Sequence, residues 1–367
     1  MRALIFQTGS LGDTLVSLPA IRKIRERVGN SCELWLLHEN RPSAVTPEEV
    51  LRPTGLVDRY LTYPAGLPAM KRLSAGARLW HQLRQLGFSQ VFYLLGSNRP
   101  TSRVYRDCVF FRLCGIPQRL GFHGLNSKRP SRSGRDEHPG PPMHESEARL
   151  QRLLADGLRH GSAQPQPPQS RLFGAEELEV VHQRLSSFGK HPERPLIAIC
   201  PGTNQPAKGW PAENFVEIGR RLLATTPYEI VVVGGKGDRA VAAEFLRHWG
   251  SGINLCGVFS VSLSACLLSL CRLCLCLDSG PMHLAAAVGT PCVALFSGHN
   301  LPGRWDPPGD ANLVLRHSVR CGGCGFEVCP QPDHPCMSGL TVSQVWDAVN
   351  RALTKSSQPV SLCPERG

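Results

Sequence analysis

Three short segments carry residues whose types and spacing can do chemistry together. The first is Gly9-Ser-Leu-Gly-Asp13, a glycine-bearing turn that ends on a carboxylate. It follows the apolar run Ala3-Leu-Ile-Phe6, so Asp13 is expected at the carboxyl end of a first buried strand, where open α/β sheets bind ligands. A carboxylate there can accept a proton from a substrate hydroxyl; the competing reading is an aspartate that caps a helix. Gly-x-Gly-x-x-Gly is absent and no Walker-type lysine follows, so the turn is read neither as a dinucleotide fingerprint nor as a P-loop.

The second segment is Pro201-Gly-Thr-Asn-Gln-Pro-Ala-Lys-Gly-Trp-Pro211, between a strand end and a helix. Thr203 can reach a phosphate by hydrogen bond and Lys208 by charge; alone, the segment also reads as a surface loop with a solvated lysine. The third is Asp278-Ser-Gly-Pro-Met-His283. Ser279 suits a helix cap, Pro281 the first helical position, and Gly289 the helix end. Such a start offers unpaired backbone N–H groups and a positive dipole end to an anion. His283, in the first turn, adds a donor or else packs in the core. Gly280 keeps the approach clear of a side chain.

These segments need a scaffold that brings strand ends to a common edge. Strand-like runs at 3–6, 33–37, 90–95, 196–200, 229–233, 273–277 and 291–296 alternate with helical ones, the pattern of a parallel sheet. Helices are expected from near Asp13, where Pro19 would kink or restart the chain, and over 144–158, 213–224, 239–249, 261–271 and from Ser279. Residues 127–144 read as a polar loop and Ala163-Gln-Pro-Gln-Pro-Pro-Gln169 as a linker. Two doubly wound α/β domains follow, over 1–170 and 171–350, with a tail over 351–367.

The 367 residues are 41% hydrophobic and 19% charged, enough for two cores and against wholesale disorder. The formal charge of +12 favours an anionic partner. No nucleic-acid recognition motif accompanies it, so nucleic acid is excluded as the partner. The run before Gln7 is too brief for an export segment, and Arg272 interrupts the longest apolar stretch, 261–277, which reads as a buried helix and strand. A cytoplasmic location is expected.

In order and spacing the three segments resemble glycosyltransferase family 9, the ADP-heptose–lipopolysaccharide heptosyltransferases. The resemblance rests on Ser10-Leu-Gly-Asp13, on Pro201-Gly202 with Lys208 and Trp210-Pro211, and on Asp278 to His283 with Gly289-Thr-Pro291 and Arg304-Trp305. It implies the GT-B architecture: two Rossmann-like domains with parallel sheets facing an interdomain cleft, acceptor on the first and nucleotide-sugar donor on the second. It makes Asp13 the general base and Lys208 and Thr203 donor-phosphate contacts. Asp278, Ser279, Gly280, Met282 and His283 become the donor platform, and Asp238 a contact to the donor ribose. Gly209 stands where many relatives have arginine. The implied partners are ADP-heptose, a phosphorylated glycolipid acceptor and, transiently, the inner-membrane surface. The alternatives are another nucleotide sugar or glycan, or a silent sugar-nucleotide-binding protein.

The chemistry supports the resemblance. Inverting transfer needs a base and a stabilised leaving group. A diphosphate leaves readily when its growing charge is met, a task Lys208, His283 and the helix start can share. No Asp-x-Asp occurs, so neither a metal-bridged diphosphate nor any cofactor is expected. Arg99, Arg103, Arg106, Arg112, Lys128 and Arg129 are a candidate acceptor-phosphate cluster, against the reading of solvated surface charge. Cys321, Cys324, Cys329 and Cys336 offer a possible structural zinc set, against paired or free thiols. Cysteines inside apolar runs (Cys266, Cys271, Cys274, Cys276, Cys292) read as packing residues.

Overall fold

Short apolar strands between amphipathic helices build two parallel sheets. The computed structural model describes residues 1–41, 45–96, 99–122, 143–158, 172–188 and 195–355. Residues 127–142 of the expected loop, with Lys128 and Arg129, lie outside the described residues, as does the 163–169 linker. The chain divides into Met1–Gly174 and Ala175–Gly367.

The first unit runs β1 (Arg2–Phe6), α1 (Leu11–Val28), β2 (Glu33–Asn40), α2 (Pro47–Leu51) and β3 (Arg59–Pro64). It continues α3 (Ala69–Leu86), β4 (Gln90–Tyr93), α4 (Thr101–Leu113), β5 (Gln118–Leu120) and α5 (Glu145–Ala155). All its strand pairs are parallel, in the order β3-β2-β1-β4-β5. The sheet therefore reverses direction at β1, and the turn after β1 is the one that ends on Asp13. Leu4, Phe6, Leu37, Val91 and Tyr93 pack on one face against Leu83 of α3 and Val104 and Phe111 of α4. Pro19 does not restart the first helix, which is continuous from Leu11 to Val28. The proline ring is on the exposed side, while Leu15, Val16, Leu18, Ile21 and Ile24 anchor both halves in the core, so one lost backbone bond is tolerated.

The second unit begins with α6 (Ala175–Ser187), β6 (Leu196–Cys200), α7 (Ala212–Thr225), β7 (Glu229–Val232), α8 (Arg239–Trp249) and β8 (Ile253–Asn254). It continues α9 (Val261–Ser269), β9 (Cys271–Leu277), α10 (Gly280–Ala287) and β10 (Cys292–Phe296). Last come β11 (Leu313–Arg316), α11 (Pro335–Ser338) and α12 (Val342–Lys355). The order β11-β10-β9-β6-β7-β8, all parallel, is that of a dinucleotide-type Rossmann sheet with its switch point between β6 and β9.

Alternation along these strands sorts the two faces. Ile197, Ile199, Leu273, Leu275, Leu277, Val293 and Leu295 meet Phe215, Ile218 and Leu222 of α7 and Val345, Val349 and Ala352 of α12. The alternate positions are small: Ala198, Cys200, Cys274, Cys276, Cys292 and Ala294. The Cys200 and Cys274 sulfurs lie 3.6 Å apart without a disulfide. Burial pushes the Cys271 and Cys276 thiols well above their ordinary range, so these cysteines are packing groups. Among the described residues, no helix is long and apolar enough to cross a membrane.

Candidate active site

In the first unit Asp13 is the third residue of α1, with Ser10 as cap. One carboxylate oxygen accepts from the Ser10 N–H at 3.0 Å and the Ser10 hydroxyl at 3.1 Å. The other accepts from Arg149 Nη2 at 3.0 Å. Arg149 also donates from Nη1 to the Asp13 carbonyl at 2.7 Å, and from Nε to Glu145 at 3.2 Å. The capping reading therefore holds, together with a connection the sequence does not reveal: a fully buried Glu145–Arg149 pair on α5 fixes the Asp13 carboxylate. That carboxylate remains 28% exposed, open to solvent. Gly9 is at φ 129°, and a Cβ there would come within 2.6 Å of the Asp13 side chain, so only glycine lets this carboxylate fold back over the turn.

The Glu145–Arg149 pair gives a stability prediction. Arg149→Met leaves Glu145 and Asp13 without their guanidinium, and breaking such a pair costs about 3–5 kcal/mol. The urea midpoint is expected to fall accordingly, and Glu145→Gln added to Arg149→Met should restore part of it. A midpoint unchanged in the single variant would show the pair to be dispensable.

The expected acceptor cluster divides. Asp107 is buried and accepts from Tyr93 at 2.8 Å, Arg99 at 2.9 Å and Arg106 at 2.7 Å. Burial and the neighbouring Asp107 hold the Tyr93 phenol well above its ordinary range. Burial opposes the Arg99 charge, but Tyr93 and Asp107 outweigh it and raise its pKa. Arg99 is thus a charge already met from within, as Arg106 is in part, whereas Arg103 and Arg112 stand exposed on α4.

In the second unit the site forms at the switch point. Lys208, on a single 3-10 turn beyond β6, places Nζ 2.9 Å from Asp278 Oδ2 at the end of β9. Asn300 donates to the same oxygen at 2.8 Å. Both charges are largely buried, with 14% and 6% of the side chain exposed. Ser279 is the α10 cap residue, yet its side chain makes no cap bond, and its buried hydroxyl has no partner among the described residues. Gln205 Oε1, in the Lys208 loop, is similarly buried and unmet. The N–H groups of Gly280 and Met282 come before the first intrahelical bond of α10, and Pro281 between them has none. Pro281 follows Gly280 in the first turn, and Gly289 lies beyond the helix end at φ 82°. His283 is buried with its ring edge-on to Trp305, centroids 6.0 Å apart, so packing is part of its role.

Thr203 and Asp238 serve the loops. The Thr203 hydroxyl accepts from the Gln205 N–H at 3.2 Å. Asp238 accepts from the Gly235 N–H at 2.7 Å, and its carboxylate fills the space that a Cβ on Gly202 or Gly234 would need. The sequence reading missed His299 and Asn300, just past β10. Burial, then the Lys208 charge, lowers the His299 pKa below its ordinary 6.5, against the Phe326 carbonyl that its Nδ1 meets at 2.8 Å. The signal for both was their place after a strand at the carboxyl edge. Among the described residues no three His, Cys, Asp or Glu side chains group as metal ligands. Cys321 is exposed and Cys336 buried, and burial, with the neighbouring Cys329, Cys321 and Cys324, raises the Cys336 thiol pKa.

Two parallel Rossmann-type units, each with its polar residues at the switch point, define the GT-B class of fold. The profile of glycosyltransferase family 9 (heptosyltransferase) matches residues 77–333, and the chain belongs to that family: it is a glycosyltransferase. Lipopolysaccharide heptosyltransferase 2 of Salmonella typhimurium is 26% identical over 377 residues, covering 97% of this chain and 99% of that one. Among solved structures, E. coli ADP-heptose lps heptosyltransferase II is 21% identical with a TM-score of 0.69, covering 98% of this chain and 100% of that one. A family 9 glycosyltransferase from Veillonella parvula reaches a TM-score of 0.71 at 19% identity, covering 96% of this chain and 97% of that one.

Proposed function

We propose that this chain transfers a heptose from ADP-heptose to a phosphorylated lipopolysaccharide core acceptor, with inversion and without a metal. The observation that carries this reading is the second-unit switch point, where Lys208 stands beside a helix start whose Ser279 hydroxyl is buried and unmet. That is a receptor for a diphosphate. The names of the full-length relatives, lipopolysaccharide heptosyltransferases, supply the sugar and the acceptor class.

In the reaction the acceptor oxygen attacks the anomeric carbon and gives its proton to Asp13. The bond from that carbon to the diphosphate oxygen breaks, and the electron pair leaves with ADP. Lys208 and the α10 N–H groups meet the charge that grows on the leaving diphosphate, replacing the second carboxylic acid an inverting glycosidase requires. Thr203 and Gly280, Met282 and His283 position the phosphates, Asp238 the ribose, and Arg103 an acceptor phosphate. The enzyme acts from the cytoplasm, resting transiently on the inner membrane.

The test is transfer by purified protein from a panel of ADP-, UDP- and GDP-sugars to deep-truncated lipopolysaccharide, with and without EDTA. ADP-heptose should be the productive donor, at a rate EDTA leaves unchanged and with inverted anomeric configuration. Activity with another nucleotide sugar alone, or loss in EDTA, would overturn the assignment.

A further inference from the structure

The α3 and α4 helices of the first unit differ from the other helices in how their charge is balanced. Together they carry seven exposed cations: Lys71, Arg72, Arg78, Arg84, Arg103, Arg106 and Arg112. The single carboxylate in either helix, Asp107, is buried and meets Arg99 and, of these seven, Arg106, so the other six have no acid on either helix. On other helices acids stand beside cations: Glu217 beside Arg221 on α7, Glu244 beside Arg247 and His248 on α8, Glu26 beside Lys23 on α1. The overall positive charge is therefore not spread evenly, and this face lacks the carboxylates that would offset it.

The same face exposes large apolar groups in register. Tyr105, Val109 and Leu113 are four residues apart on α4, one stripe of a helix, and Tyr105 and Leu113 are 73% and 61% exposed. Leu73 and Trp80 are seven apart on α3, again one stripe, with Leu73 74% exposed. The helices are joined there, because Trp80 Nε1 donates to the Leu113 carbonyl at 3.0 Å. The Arg84 guanidinium lies 5.1 Å over the Trp80 ring. Exposed leucine, tyrosine and tryptophan among unbalanced cations are the composition of a surface that lies in a lipid headgroup layer.

We propose that the α3–α4 face is the surface by which this chain rests on an anionic phospholipid bilayer. This rests on the acceptor's being a lipid-anchored glycan, and, Arg103 apart, it assigns residues that the functional reading leaves unnamed. In a parallel sheet the helix after each strand starts at the carboxyl edge. α3 follows β3 and α4 follows β4, so Lys71, Arg72, Leu73 and Arg103 sit at the edge that holds the Asp13 turn. Seating this face on headgroups sets the base beside the plane from which a lipid-anchored acceptor projects.

The experiment is flotation of the full chain with phosphatidylethanolamine–phosphatidylglycerol vesicles and with phosphatidylcholine vesicles, at low and high salt. Wild type should bind the anionic vesicles and lose them in salt. Lys71→Gln with Arg78→Gln should lower partitioning by about fivefold per cation removed. Leu73→Ser with Leu113→Ser should lower it further, with thermal stability unchanged because these side chains are exposed. Both variants should keep wild-type transfer to a deacylated, soluble acceptor and lose rate on acceptor embedded in vesicles. Vesicle binding that is absent in wild type, or equal in wild type and variants, overturns the proposal. So does loss of transfer to the soluble acceptor, which would make this face part of the acceptor site, or self-association in which the apolar stripe meets a second copy. Wild type that binds vesicles and transfers no heptose would instead count against the functional reading alone.

Discussion

Asp13→Asn is expected to leave nucleotide-sugar affinity within about twofold while cutting the transfer rate by about 10²–10⁴, the span of general-base catalysis. Asparagine keeps the shape of the side chain and an oxygen to accept from Ser10, but it loses the second oxygen that accepts from Arg149 and has no carboxylate to take the acceptor proton. The proposed donor platform lies in the other unit, with its own sheet and core, so calorimetric ADP binding should not register the change. The capping role makes a separate demand. Losing a cap costs about 0.5–2 kcal/mol, and a folded fraction reduced on that scale cannot lower the rate of the remaining folded molecules. Rate per folded molecule, from single-turnover transfer, therefore separates the two roles. Unchanged single-turnover rate in Asp13→Asn would reduce Asp13 to a cap.

Much of this site was legible before any coordinates, and what was not legible has a physical cause. Strands β1, β6, β9 and β10 are buried on both faces, so they write themselves as continuous apolar runs, and the turns after them hold the candidate residues. The bounds of β6 and α8 are those the pattern gives, and the Gly-Pro start of α10 was plain. The edge strand β3 was not: of Arg-Tyr-Leu-Thr-Tyr-Pro only Leu61 is buried, and the run ends on proline, so it carries no apolar signal. The α12 helix was overlooked although Val345, Ala348, Val349 and Ala352 mark one face of it. The partnerships were hidden by a different cause. Arg149 lies 136 residues from Asp13, and only the packing of α5 on α1 brings them together. Lys208 was singled out for a phosphate and Asp278 as part of the donor platform, but their meeting depends on β6 and β9 being sheet neighbours with a chain reversal between them. Arg99 looked like free positive charge because the sequence does not show that Asp107 turns inward to meet it.

That Lys208–Asp278 pair carries the other large effect. Lys208→Met removes the charge proposed to meet the leaving diphosphate, and losing one such stabilising donor costs about 10²–10³ in rate, or about 3–4 kcal/mol of barrier. It also leaves Asp278, with 6% of its side chain exposed, on Asn300 alone, which costs about 3–5 kcal/mol of folding stability. The two consequences are separable because only one concerns Asp278. Adding Asp278→Asn to Lys208→Met removes the stranded anion, so the thermal midpoint should return towards wild type while transfer stays low. Asp278→Asn alone keeps the Lys208 charge and should retain far more activity than either variant lacking it. If the double variant regains activity together with stability, the lysine is there to balance an aspartate, and the diphosphate must find its counter-charge in the α10 start alone.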